Sequence, residues 1–234
     1  MSDILIISLL TLIAGIAIPV GALLGNKFSS TIHASWNHSI IAFGGGTLLA
    51  AVSLVLVPEG INSLNVFESS FFLISGAIAF LFIDLYFAKL NTQASQLVAM
   101  LADFIPESLA LGAIFLVHQE SAILLTLLIA FQNLPEGFNA FIEVKKTSPL
   151  NSKHVISLFF MFALFGPIFA FVGYYWLSDS PAIIAGIMLI ASGGILYSIF
   201  QDIAPKVPLE KNWAPPLGAI LGFVTGLVGY MSIN

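Results

Sequence analysis

A succession of apolar stretches, each about 20 residues long, is the feature that most limits how this chain can fold. A helix needs about 20 mainly apolar residues to cross the hydrocarbon core of a bilayer. Only 8% of the residues are charged and the mean hydropathy is +1.03, whereas about 25% of residues are charged in soluble domains. Because helices satisfy their own backbone hydrogen bonds in lipid, the sequence predicts an all-α integral membrane protein.

We expect eight transmembrane helices, joined by connections too short to hold a soluble domain, so that residues 1–234 form a single transmembrane domain. The first span is not expected to be a cleaved signal sequence, because it lacks a basic amino-terminal region and carries Asp3 instead. The predicted spans run approximately over Ile4–Gly25, Ser39–Pro58, Ser70–Leu90, Ser95–Val117, Ser121–Val144, Val155–Leu177, Pro181–Ala204 and Pro216–Ser232.

The basic residues indicate the orientation of the chain. All seven are lysines, and each falls in or beside an odd-numbered connection. The amino end and the even-numbered connections carry acids instead. Because cytoplasmic loops carry an excess of Lys and Arg, this partition predicts odd connections in the cytoplasm and both termini outside. The lysines are Lys27, Lys89, Lys145, Lys146, Lys153, Lys206 and Lys211, and the acids are Asp3, Glu59, Glu68, Glu120 and Asp179.

Two segments resemble each other when they are aligned on a proline. "GGGTLLAAVSLVLVPEG" (44–60) in the second span and "ASGGILYSIFQDIAP" (191–205) in the seventh share a Gly-rich stretch and a proline, Pro58 or Pro205. These spans are expected to run in opposite directions, which is typical of an inverted repeat. We therefore predict a 3+2+3 arrangement, with spans 1–3 over about 4–90, spans 4–5 over about 95–144 and spans 6–8 over about 155–232. Similar composition alone is an open alternative.

Polar residues recur inside the fourth and fifth spans, in "DFIPES" (103–108) and "QNLPEG" (132–137). Asp103 and Glu107 are four residues apart and lie on one helix face, and Gln132 and Glu136 repeat that spacing with Asn133 beside them. Consecutive antiparallel helices would bring these faces together, so that the four side chains converge near mid-membrane. Such carboxylates must share protons or bind a cation, because neither span contains a lysine. A protonated packing acid is the alternative for any single carboxylate.

The paired Pro-Glu motifs, the eight expected spans, the outside termini and the Gly-rich second and seventh spans together resemble the ZIP (Zrt-/Irt-like protein) family of divalent metal transporters. In that family, the fourth and fifth helices carry motifs of the form His-Asn-x-Pro-Glu-Gly. "QNLPEG" matches this form closely, whereas "DFIPES" departs from it, so the chain would be an atypical member. The resemblance implies a metal site formed by Asp103, Glu107, Gln132 and Glu136, with Asn133 as a further fifth-helix ligand.

The resemblance also implies that an adjacent second metal site is lost. Phe104 stands where the family has a ligating Asn, and Gly166 stands where the sixth helix has a Glu. Neither side chain can bind a metal ion.

Further polar residues suggest an exit path toward the cytoplasm. Asn139 and Glu143 continue the helix face of Gln132 and Glu136, and Ser198 and Asp202 on the seventh span are additional candidates. For Glu143 and Asp202, interfacial solvation near the lysines is an equal alternative. Asp84 is expected to be an interfacial or packing group. The four histidines, His33, His38, His118 and His154, are expected to be solvated in connections or at span ends.

The predicted function is transport of a divalent cation, Zn²⁺, Fe²⁺ or Mn²⁺, into the cytoplasm, with the metal as substrate and no cofactor. A non-transporting metal-binding relative or an intramembrane enzyme is the alternative. Hydrolysis lacks support, because neither a His-Glu-x-x-His motif nor a Ser/His pair at membrane depth is present. The net charge of −5 argues against a nucleic-acid partner. We expect a bacterial inner membrane protein in contact with lipid, and assembly as a homodimer stays open.

Overall fold

The computed structural model describes residues 3–28, 31–90, 94–116, 118–177 and 180–233. Val117 and Asp179, which entered the predictions of span bounds and orientation, lie outside these ranges. The protein is all-helical, with 88% helix, and no strand occurs in the ranges described. The predicted all-α class is therefore confirmed.

Within these ranges, six helices are long and apolar enough to cross a membrane, which is consistent with an integral membrane protein. They are α1 (Asp3–Phe28), α2 (Ala34–Ile61), α3 (Val66–Leu90), α5 (Gln119–Thr147), α6 (Ser152–Ala163, continued by Phe165–Val172 and Gly173–Leu177) and α7 (Pro181–Lys206). Between and after them lie α4 (Ala94–Ile114) and the shorter apolar α8 (Leu217–Ile233). Helices α2 and α3 begin before the predicted Ser39 and Ser70, because each continues beyond its apolar stretch into polar flanking residues.

The helices divide into central and peripheral ones. About two-thirds of the most apolar window is buried within the protein in α2 (61%), α5 (61%) and α7 (67%), against 11% in α3. Large apolar side chains such as Phe67, Phe71 and Phe82 on α3 are exposed. Extensive exposed apolar surface is typical of a face that contacts a membrane. Polar residues in the middle of these helices, such as Gln132 on α5 and Ser198 on α7, therefore lie in the interior of the bundle.

Small residues allow α1 to approach α5 closely. A Cβ atom on Gly21 would collide with the Leu134 carbonyl, and one on Gly137 would collide with the Ile18 carbonyl. Close helix packing through small residues is typical of membrane proteins. The contact fixes the part of α5 that carries Pro135 and Glu136.

Within the described residues, three helices contain a short π-helix close to one end, a feature that the sequence patterns did not predict. It covers Val52–Leu56 in α2, Gly173–Leu177 in α6 and Ile199–Ile203 in α7. In α2 and α7 the π-helix ends two residues before a proline, Pro58 or Pro205. Proline cannot donate a backbone hydrogen bond, and short π-helices occur frequently at functional sites. The two segments aligned in the sequence thus share the same local change from α-helix to π-helix.

Candidate metal centre

Glu107 and Gln132 form a buried pair that joins α4 to α5. Gln132 Nε2 donates hydrogen bonds to both carboxylate oxygens of Glu107, at 2.8 and 2.9 Å. Glu107 is 0% exposed and Gln132 is 2% exposed. The two helices that carry the Pro-Glu motifs therefore face each other at these residues.

Two carbonyl oxygens next to this pair have no hydrogen-bond partner among the described residues. They are Gln132 Oε1 and Asn133 Oδ1, and both are buried. The amide nitrogen of Asn133 donates to the Ala14 carbonyl of α1 at 2.9 Å, which fixes the side chain. Leaving a buried acceptor unsatisfied costs roughly 1–3 kcal/mol. A bound cation would satisfy such oxygens.

Asp103 lies on the same helix as Glu107 but contacts α7. Ser198 Oγ donates to Asp103 Oδ1 at 3.3 Å. The Asp103 side chain is only partly buried. Asp103 therefore links α4 to the end of α7 that contains the π-helix.

A cavity of about 310 Å³ contains the remaining predicted site residues. Gln132 lines it, so the cavity reaches Glu107 through the side chain that donates to that carboxylate. Lys206 is the one cationic side chain that lines the cavity within the described ranges. The lining carboxylates are Asp84, Asp103, Glu136, Glu143 and Asp202, and the neutral polar side chains are Gln132, Asn139, Ser198 and Gln201.

All four predicted exit-path residues line this one cavity. Asn139 Nδ2 donates to the Pro135 carbonyl at 2.9 Å. Lys206 Nζ lies 3.6 Å from Glu143 Oε1, and both side chains are partly exposed. The cavity thus extends from the buried pair to the end of α5 that carries Lys145 and Lys146.

The metal site expected from Asp103, Glu107, Gln132 and Glu136 stays a prediction. No group of three or more His, Cys, Asp or Glu side chains is close enough to hold a metal ion in the ranges that the structure describes. Glu107 accepts from Gln132, whereas Asp103 accepts from Ser198 on another helix. The two carboxylates of α4 are therefore oriented toward different helices in this conformation, Glu107 toward α5 and Asp103 toward α7.

The position of the expected second site is filled by an aromatic ring. Phe104 is 1% exposed. A Cβ atom added to Gly15 or Gly166 would lie 3.0 or 2.9 Å from Phe104 Cζ. The ring therefore fits where two glycines let α1 and α6 cross closely, and no metal ligand is present at these three residues.

Sequence reasoning missed three polar or charged residues of the described cavity lining: Asp84, Gln201 and Lys206. Asp84 was expected to be an interfacial or packing group, because Lys89 follows it closely. The available signal was a carboxylate within the apolar run of α3, since ionisable residues inside a membrane are generally functional.

A second polar contact lies at the other end of α5. Ser121 Oγ donates to Glu59 Oε1 at 2.9 Å, and His118 Nε2 lies 3.7 Å from Glu59 Oε2. His118 is exposed, as expected for a residue in a connection, but it faces a carboxylate of α2. These contacts hold the end of α2 against the start of α5.

No protein-family model matches the sequence, and comparison with curated proteins gives no match. The chemistry of the cavity is therefore the basis on which a function can be proposed. Its polar lining side chains offer carboxylate, amide and hydroxyl oxygens, and the chain contains no cysteine. Such oxygen donors suit harder divalent cations.

Proposed function

We propose that the protein is a membrane transporter that moves divalent metal cations into the cytoplasm through a carboxylate-rich site between α4 and α5. The observation that carries this proposal is the cavity that leads from the Glu107–Gln132 pair to the lysine-bearing end of α5. Of the residues that the structure describes, five carboxylates and one lysine line it. Their mutual repulsion in a partly apolar environment favours occupancy by a cation.

The substrate cation would bind near Gln132. The unpartnered Gln132 oxygen, the Glu136 carboxylate and the Asp103 carboxylate are the ligands we assign to it, and Glu107 joins them when Gln132 turns away. Asn133 offers a further buried oxygen. Asn139, Glu143, Ser198 and Asp202 would then contact the cation along its exit path.

For the architecture, we propose eight transmembrane helices in a 3+2+3 arrangement, similar to the ZIP family. Helix packing supports two related halves, because α1 packs on α5 as α6 packs on α4, and α2 packs on α8 as α7 packs on α3. The matched π-helices of α2 and α7 give independent support. The lysine distribution favours both termini outside, and we propose a bacterial inner membrane as the location. Transport would then occur by rocking one half against the other.

Transport by the purified protein in liposomes is the decisive experiment. We expect uptake of Mn²⁺ and Zn²⁺ above that of empty liposomes, with each metal inhibiting uptake of the other. Binding of Mn²⁺ to the solubilised protein without uptake would favour the non-transporting alternative. Absence of both binding and uptake would contradict the proposal and return attention to an intramembrane enzyme.

A further inference from the structure

Lys206 lines the cavity that we propose conducts cations, although its own side chain is positively charged. It ends the 3₁₀ turn Ala204–Lys206, which directly follows the π-helix Ile199–Ile203. Its Nζ lies 3.6 Å from Glu143 Oε1, with the two side chains 48% and 34% exposed. A cationic group thus lies at the solvent-exposed part of a cavity whose other charged lining residues, among those described, are acidic.

The α7 segment that carries Lys206 contacts two other helices. At its start, Ser198 Oγ donates to Asp103 Oδ1 on α4 at 3.3 Å. At its end, Lys206 pairs with Glu143 on α5. Between them the backbone changes from π-helix to 3₁₀-helix. The segment therefore connects the proposed binding region with the mouth of the cavity.

The Lys206–Glu143 ion pair is suited to repeated exchange. Partly exposed ion pairs contribute little stability because water screens them. A divalent cation carries twice the charge of an ammonium group and binds carboxylate oxygens directly. A cation leaving the cavity therefore competes with Lys206 for Glu143, and Lys206 repels it once the two are close.

We infer that Lys206 is a tethered counter-cation that shortens the residence of the substrate cation at the cavity mouth and so speeds its release. This inference rests on the proposed transport function. It assigns opposite roles to the two partners: Glu143 attracts the departing cation, whereas Lys206 displaces it. A purely structural ion pair would give them the same role.

The test compares Lys206→Gln with Glu143→Gln. Mn²⁺ binding to the solubilised protein is measured from the electron paramagnetic resonance signal of free Mn²⁺, and Mn²⁺ uptake is measured in liposomes. For Lys206→Gln we expect about tenfold tighter binding and slower maximal uptake, because a repulsive charge is removed. For Glu143→Gln we expect weaker binding. Lys206→Arg should retain wild-type behaviour, and Lys153→Gln on the exposed start of α6 is the matched charge control.

The outcomes separate this inference from the proposed function. If the wild-type protein neither binds nor transports Mn²⁺, the proposed function fails. If the wild-type protein is active and Lys206→Gln matches Lys153→Gln, the counter-cation role is overturned. The counter-cation role is also overturned if Lys206→Gln and Glu143→Gln change Mn²⁺ affinity in the same direction, since that result identifies a structural ion pair.

Discussion

The ends of α2 and α7 share a backbone design but carry opposite charges. Each has a π-helix followed two residues later by a proline, and the next residue is Glu59 in α2 and Lys206 in α7. Both residues contact α5. Glu59 contacts Ser121 and His118 at its start, whereas Lys206 contacts Glu143 near its other end.

The difference lies in what surrounds the two contacts. Lys206 lines an acidic cavity that reaches Gln132. Glu59 instead accepts a hydrogen bond of 2.9 Å from Ser121. A similar backbone thus supports an open, charged region at one end of α5 and a hydrogen-bonded contact at the other. We interpret the Lys206 end as the release side and the Glu59 end as the closed side.

The largest effect is expected from removing charge at the buried end of the cavity. Glu107→Gln and Glu136→Gln should each reduce metal uptake to the level of empty liposomes, because each removes a carboxylate that we assign as a direct ligand. Uptake in liposomes at matched protein content measures this. Glu120→Gln, at an exposed position, is the control and should retain transport. Wild-type uptake by Glu136→Gln would contradict the proposed metal centre. The two ends of α5 could then no longer be assigned different functions.

The assignment of the two ends to opposite membrane faces gives an all-or-none prediction. The chain contains no cysteine, so a single introduced thiol is labelled without background. Gln119→Cys, beside Glu120, should react with an impermeant thiol reagent in intact cells, and Pro149→Cys, near Lys146, should react only after lysis. Both positions are exposed. The reverse pattern would place the Lys206 end outside and overturn inward transport.

Metal preference is expected to change by a smaller factor. The proposed ligands carry only oxygen donors, whereas imidazole favours Zn²⁺ and later transition metals. Asp103→His should therefore shift preference from Mn²⁺ toward Zn²⁺ by about tenfold in a competition uptake assay, as expected for about 1.4 kcal/mol of differential binding. Ser198→Ala, which removes the donor to Asp103, is the control for loss of positioning alone. An unchanged preference in Asp103→His would show that Asp103 is not a ligand.

The sequence predicted the helical class and the facing of α4 and α5, because apolar length and i,i+4 spacing depend on local residues. It also grouped Asn139, Glu143, Ser198 and Asp202, and all four line one cavity. It did not predict the neighbours each side chain takes. Asp103 pairs with Ser198 rather than with Glu107, and Asp84 enters the cavity, because both depend on how α3, α4 and α7 pack.

The smallest effect is expected at the Glu59 end. In Glu59→Gln, the amide oxygen can still accept the hydrogen bond from Ser121, so the contact between α2 and α5 is retained without the negative charge. We expect uptake within about threefold of wild type, since a neutral hydrogen bond contributes only about 1 kcal/mol. Glu59→Ala removes the acceptor and should have the larger effect of the two. Loss of uptake in Glu59→Gln equal to that in Glu107→Gln would mean that the charge of Glu59, and not its hydrogen bond, is required. The Glu59 end would then also belong to the cation path. The two ends of α5 would in that case differ only in which of them is open in this conformation.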